Sequence, residues 1–276
     1  MTFQIRLGLK GSSSEAQIES RLIHKPEIFE FYTSEADFSQ EGLDHLAKAI
    51  DKVKSAGVSD IIIHHPMKYK GKFMELVAHP SNNAELVDFI NDSTKSLLDI
   101  AEEKDCKVLV HGSYEMREDD LMAPFNSLEE AQAYLFSRMD AFWELGKDRI
   151  MFENGITPLF SFGDPDFDQE LVRRGYPLAY DVSHAFISLS GDNAALQKSL
   201  ALLKNQTVHY HLVDSMGKTH DSLTLGQGKI DWKAALPLLN EKASSIYEIV
   251  LKDQENPQEQ LDSHDYLTKV SKKALD

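Results

Sequence analysis

Cysteine is almost missing from this 276-residue chain: Cys106 stands alone. A single thiol excludes an intramolecular disulfide and a cysteine-rich zinc module, and it fits a reducing compartment. Placed just before an apolar run, Cys106 reads as a small buried hydrophobe and not as a nucleophile. Long hydrophobic runs are missing too, and no segment approaches the roughly 20 apolar residues of a membrane span. The opening residues, Met1-Thr2-Phe3-Gln4-Ile5-Arg6, lack the apolar stretch and cleavage site of a secretion signal, so a cytoplasmic location is expected. Basic charge is scarce: 29 Lys and Arg face 45 Asp and Glu, a formal net charge of −16. Nucleic acids and anionic membranes are held through Lys and Arg, so neither is the expected partner, and the acidic excess reads as solubility. The nearest basic stretch, Lys68-Tyr69-Lys70-Gly71-Lys72, reads as a solvated lid. Pro, Gly and Ser nowhere gather into a linker, and there is no low-complexity tract. One domain over residues 1–276 is the simplest reading, and the sequence leaves open whether it forms a homo-oligomer.

What is present is a rhythm. Short apolar runs alternate with longer helical patterns, the signature of a parallel sheet with crossover helices. Candidate strands are Ile5–Leu9, Ile28–Tyr32, Ile61–His64, Lys107–His111, Arg149–Glu153, Leu178–Asp181, Val208–Val213 and Tyr247–Leu251. Eight such units close a single (β/α)8 barrel. The second also fits a short irregular link. Leu43, Leu46, Ala47, Ile50 and Val53 repeat at helical spacing, as do Leu86, Phe89, Ile90, Leu97 and Ile100. Ser127 followed by Glu130 predicts a capping box and a helix through Phe142. Ala195–Leu203, Trp232–Leu239 and Tyr266–Ala274 complete the expected ring, with Gly57 and Gly146 at helix C-caps. The longest connections after strands, Met67–Asn83 and Gly112–Phe125, are candidate lids.

Polar residues end one apolar strand after another. The runs finish in His64-His65, His111, Glu153-Asn154, Asp181-Val182-Ser183-His184 and His209-Tyr210-His211, and the last carries Glu248. Strand C-termini of a barrel converge on one mouth, where side chains remote in sequence meet. Each residue alone has a plainer explanation: a hydrogen-bonded strand end for His64 or His65, an ion pair for Glu153, a turn cap for Asp181, a barrel lining for His209 and His211. Together they are a cluster of carboxylates and imidazoles whose charges need a cation. Mixed N and O donors suit Zn²⁺, Mn²⁺ or Co²⁺ better than Ca²⁺. His24, His45, His79 and His264 end no strand and read as surface residues.

From the third strand to the eighth, the chain resembles the xylose-isomerase-like TIM-barrel superfamily. That group joins sugar isomerases and epimerases with endonuclease IV-type enzymes (AP endonuclease family 2). The resemblance rests on Asp181-Val182-Ser183-His184, His211-Leu212-Val213-Asp214 and Gly226-Gln227-Gly228-Lys229-Ile230-Asp231, which match D-x-x-H, H-x-x-D and G-x-G-x-I-D in order and spacing. Asp231 is placed to cap the next helix. The resemblance implies a metal held by Glu153, Asp181, His211 and Glu248, with Glu153 and Glu248 moving a proton on a sugar or sugar phosphate and His184 binding a hydroxyl. Lys252 and Asp253 are the alternatives to Glu248 at the mouth. The endonuclease members imply further zinc sites, for which His64 (or His65), His111, His184 and His220 are the candidates. Ser222 stands where those enzymes need a metal-binding imidazole. A related dehydratase would use the same metal–carboxylate pair.

Overall fold

The computed structural model describes residues 3–114 and 121–273. Eight strands form its centre: β1 (Gly8–Gly11), β2 (Ile28–Tyr32), β3 (Asp60–His64), β4 (Lys107–His111), β5 (Ile150–Glu153), β6 (Leu178–Asp181), β7 (Thr207–His211) and β8 (Ser244–Ile246). They hydrogen-bond in chain order, each parallel to the next. Parallel neighbours need long crossovers, and helices supply them. These are α1 (Glu15–Leu22), α2 (Gln40–Ser55), α3 (Pro80–Lys104), α4 (Leu128–Gly146), α5 (Pro165–Arg174), α6 (Val182–Ser188), α7 (Asn193–Leu203), α8 (Trp232–Ala235) and α9 (Gln258–Lys273). The expected (β/α)8 barrel forms. Among the described residues, no helix is long and apolar enough to cross a membrane.

Strand alternation sorts the side chains into two cores. Phe29, Phe31, Ile61, Ile63, Val108, Val110 and Phe152 face outward under the helices. Ile28, Ile62, Leu109, Met151, Ala179 and Ile246 face inward and fill the barrel, with Val208 against them. Full burial of each large aliphatic stabilises by about 1.5–3 kcal/mol. Two positions after these floor residues come Glu30, His64, His111, Glu153, Asp181 and Glu248. One parity therefore gives the barrel an apolar floor and a polar ceiling.

The seam of the barrel lies between β1 and β8, the two ends of the hydrogen-bonded order. Here a Cβ on Gly8 would stand 1.9 Å from the Ser245 carbonyl oxygen. Only glycine lets the two edges approach this closely.

Several expectations need correction. The first strand is Gly8–Gly11, not Ile5–Leu9, and the last is Ser244–Ile246, not Tyr247–Leu251. Glu248 thus lies beyond its strand, at the mouth. Helices α1, α5 and α6 were not among those expected. Ser127 Oγ accepts from Glu130 N at 3.2 Å, but the Glu130 carboxylate returns to Asn126 N at 2.7 Å, so the box closes one residue early. Gly57 follows α2 with φ 96°, as a C-cap should. Gly146 stays helical, and Lys147 takes the positive φ of 51°. Glycine is needed at 146 for room, since a Cβ would meet Ile150 Cβ at 2.8 Å. The expected helix Trp232–Leu239 is α8 plus a 3-10 turn, Leu236–Leu238. Ala274 and, within the Gly112–Phe125 connection, residues 115–120 lie outside the described residues. The other candidate lid holds a small hairpin, Lys68–Tyr69 paired with Lys72–Phe73. Its turn residues Lys70 and Gly71 have φ 48° and 83°, as a type I′ turn requires.

Candidate metal centre

The inward parity brings the expected residues together. Glu153, Asp181, His211 and Glu248 place one ligand atom each within 4.8 Å of one another, and so do His64, His111 and Glu153. His64 is the inward member of its pair. His65 points outward and meets Ser93 Oγ at 2.8 Å and Thr94 Oγ1 at 3.2 Å on α3. Burial first, and then His64 and His111, push His65 down to about 3, so it stays neutral and fastens β3 to its helix.

Glu153 stands at the middle. Its Oε1 is 2.8 Å from His211 Nδ1, and its Oε2 is 2.8 Å from His111 Nε2 and 3.4 Å from His64 Nε2. His211 Nδ1 is also 2.5 Å from Glu248 Oε2 and 3.9 Å from Asp181 Oδ2. Yet both Glu153 oxygens, Asp181 Oδ2, His211 Nδ1 and His64 Nε2 are buried without a hydrogen bond. Atoms this close but misaligned are aimed at a common point and not at one another. Ligands about 2.0–2.2 Å from a zinc-sized ion have separations of this kind. Buried carboxylates left in this state are costly, and a divalent cation removes the cost. The residues fit Zn²⁺, Mn²⁺ or Co²⁺ by donor type.

Electrostatics agrees. Burial alone would raise the Glu153 carboxyl, but His111 and His211 outweigh it and hold it well below the usual range. Burial likewise opposes ionisation of Glu248, and Lys10 and His211 override it. For His211 burial disfavours the charge, while Glu153, Glu30 and Glu248 raise it well above an ordinary histidine.

Two buried groups were missed from sequence. Glu30 Oε2 lies 3.0 Å from both His209 Nε2 and His211 Nε2. Lys10 Nζ is 2.9 Å from Glu30 Oε1 and also pairs with Glu248 Oε1. The available signal was a lone acid two places after Ile28 in an apolar strand. Lys252 and Asp253, the alternatives to Glu248, are exposed.

Asp181 is held in place by the protein itself. Its N–H donates to Asn154 Oδ1 at 2.8 Å, while Asn154 Nδ2 returns to the Asp181 carbonyl at 3.1 Å. Asp181 Oδ1 caps α6 by accepting from His184 N at 2.7 Å. His184 Nδ1 donates to the Asn154 carbonyl at 2.8 Å, which turns its Nε2 to the exposed His220, 3.0 Å away. Above lies a cavity of about 140 Å³ lined by His64, Met67, Phe73, His111, Tyr114, Ile156, His184, His220 and Glu248. Tyr114 stacks on His111 with ring centres 4.0 Å apart. Ser222 takes no part in the cluster; its carbonyl accepts from Val250 N at 3.1 Å. Asp231 caps α8 as expected, accepting from Ala234 N at 3.1 Å. His24 and His45 are exposed, whereas His79 and His264 are half-buried.

No family model and no curated protein matches the chain. Solved structures do. A D-tagatose 3-epimerase-like protein is 18% identical with a TM-score of 0.71 over 98% of each chain. The apo form of 3-keto-D-glucoside 4-epimerase from E. coli is 15% identical with a TM-score of 0.64, over 96% of this chain and 100% of that one. SacUVDE is 16% identical with a TM-score of 0.62, over 98% and 100%. At these identities what is shared is the fold.

Proposed function

Because the chain has the fold of the xylose-isomerase-like TIM barrels, we propose that it is a divalent-metal-dependent isomerase or epimerase of a small sugar or sugar phosphate. The observation that carries this reading is the convergence of Glu153, Asp181, His211 and Glu248 beneath a small, partly apolar cavity. A bound Zn²⁺, Mn²⁺ or Co²⁺ would supply Lewis-acid polarisation of a substrate carbonyl.

The chain's own residues account for the proton. Glu153 and Glu248 both lie within 2.8 Å of His211 Nδ1, so two carboxylates are available to a substrate carbon bound above them. One removes the proton, and the C–H electron pair moves into the neighbouring carbonyl to give an enediolate. Return of a proton to the opposite face gives the epimer, and return to the neighbouring carbon gives the isomer. His184, its Nδ1 tied to Asn154, offers Nε2 to a substrate hydroxyl. The buried Phe73 and Tyr114 in the cavity wall would limit water around the enediolate.

The test is solvent exchange. Metal-loaded protein incubated with ketoses such as D-fructose and D-tagatose in D₂O is expected to place deuterium at one carbon. Glu153→Gln should lower that rate about 10³-fold or more and leave the circular dichroism unchanged. Exchange that survives the substitution, or a ketose panel with no exchange at all, sinks the reading.

One observation favours a second reading. Glu153 Oε1 faces His211 and its Oε2 faces His111 and His64, so His64, His111 and Glu153 could hold a further ion beside the first group. A zinc-dependent phosphodiesterase acting on abasic DNA would use more than one such ion to activate water and stabilise the leaving oxygen. Two or three zinc ions per chain with cleavage of an abasic oligonucleotide would replace the isomerase reading.

A further inference from the structure

Beneath the centre lies another group with metal-ligand spacing. Glu30, His209 and His211 place ligand atoms within 4.8 Å of one another, and all three are fully buried. It differs from the group above in charge balance: its one carboxylate, Glu30, is already paired with the Lys10 ammonium, whereas the upper group, which Lys10 reaches through Glu248, also holds Glu153 and Asp181. That lysine is built into position. Its carbonyl accepts from Arg21 Nε at 3.1 Å and Gln260 Nε2 at 3.3 Å, two buried side chains from α1 and α9.

We propose that the Lys10 ammonium takes the place of a metal ion at Glu30–His209–His211, leaving Glu30 to orient His211 as an Nδ1 ligand for the centre above. An ammonium about 3 Å from Glu30 repels a divalent ion at the same carboxylate. With the lower group closed to metal, Glu30 Oε2 accepts the Nε2–H of His211, which fixes the ring with Nδ1 turned to the centre above, where a metal would displace its proton. Metal-bound histidines ordinarily hand their second N–H to such a carboxylate. Lys10 and Glu30 are thus positioning residues. The inference rests on the reading of the upper group as a metal centre.

The test needs no substrate. Metal-free full-length protein is titrated with Co²⁺, reading ions bound per chain, affinity and the visible ligand-field band. Lys10→Met is expected to bind one more Co²⁺ than wild type, and adding His209→Ala to remove the gain. Glu30→Gln is expected to bind Co²⁺ about tenfold or more weakly, with a shifted band, and Glu30→Asp to recover part of both. If Lys10→Met fails to fold, Lys10→Gln serves for the count. An unchanged count in the lysine variant, or wild-type affinity in Glu30→Gln, overturns this proposal alone. Wild-type protein that binds no Co²⁺ overturns the functional reading with it.

Discussion

Asp214 and His211 belong to one H-x-x-D motif but serve different purposes. His211 turns into the barrel, whereas Asp214 turns away and organises the glycine loop. Its oxygens accept from Ser215 N at 2.9 Å, Gly226 N at 2.8 Å, Ile230 N at 3.2 Å and Trp232 Nε1 at 3.2 Å. Gly228 is required beside it, because a Cβ there would stand 2.2 Å from Asp214 Oδ1. Asp214→Ala strands several buried donors and is expected to cost about 3–5 kcal/mol in chemical denaturation. Glu153, Asp181 and His211 could be picked out of the sequence because each ends a strand, whereas Glu248, two residues past the last strand, took its ligand role only from the family resemblance. The choice between His64 and His65 follows from parity once Ile62 is known to face inward. Lys10 and Glu30 were hidden because neither ends an expected strand, and their meaning depends on contacts across the barrel.

At the scale of elements, the long helices with apolar periodicity were legible, whereas the polar α1 and α5 and the seven-residue α6 were not. Helix α5 shows why: in Pro165–Arg174, Asp168 and Leu171 alone are buried. Asp168 faces inward to accept from Gly163 N at 3.0 Å. Burial outweighs that bond and lifts the Asp168 carboxyl from 3.8 to about 6. The folded protein therefore holds this proton more tightly than the unfolded chain. Its stabilising contribution is complete below pH 3.8 and is lost as pH rises through 6. Asp168→Asn keeps an acceptor for Gly163 and should raise stability above pH 6 by up to about 3 kcal/mol, with no gain at pH 3.5. Denaturant midpoints at the two pH values check this. Strands β1 and β8 were misplaced for a different reason. Gly8-Leu9-Lys10-Gly11 and Ser244-Ser245-Ile246 are short and poor in β-branched residues, and what defines them is the seam where they meet.

For the whole molecule, the count of strands and their parallel order were visible in the alternation of apolar runs with helices. The closing contact and the buried charges were not, since both depend on elements far apart in sequence. The candidate centre draws on residues from six strands or the loops just after them, so an ion bound there should stabilise the entire fold. Saturation at a hundredfold Kd adds about 2.7 kcal/mol. For a chain of this size that corresponds to a rise in Tm of roughly 5–10 °C. Calorimetry with and without a chelator measures it, and an unchanged Tm would speak against a metal in the barrel.

The seam can also be viewed as a latch. A sheet rolled into a tube must be fastened where its edges meet, and here Gly8 makes the fit while Lys10 and Glu248 form a clasp across it. The clasp lies at the mouth of the barrel, and Glu248 also belongs to the candidate ligand group there. If the proposed reaction is the chain's own, stability and activity are not separately adjustable at Glu248. A substitution of Glu248 that alters the ligand group would then also loosen the cylinder.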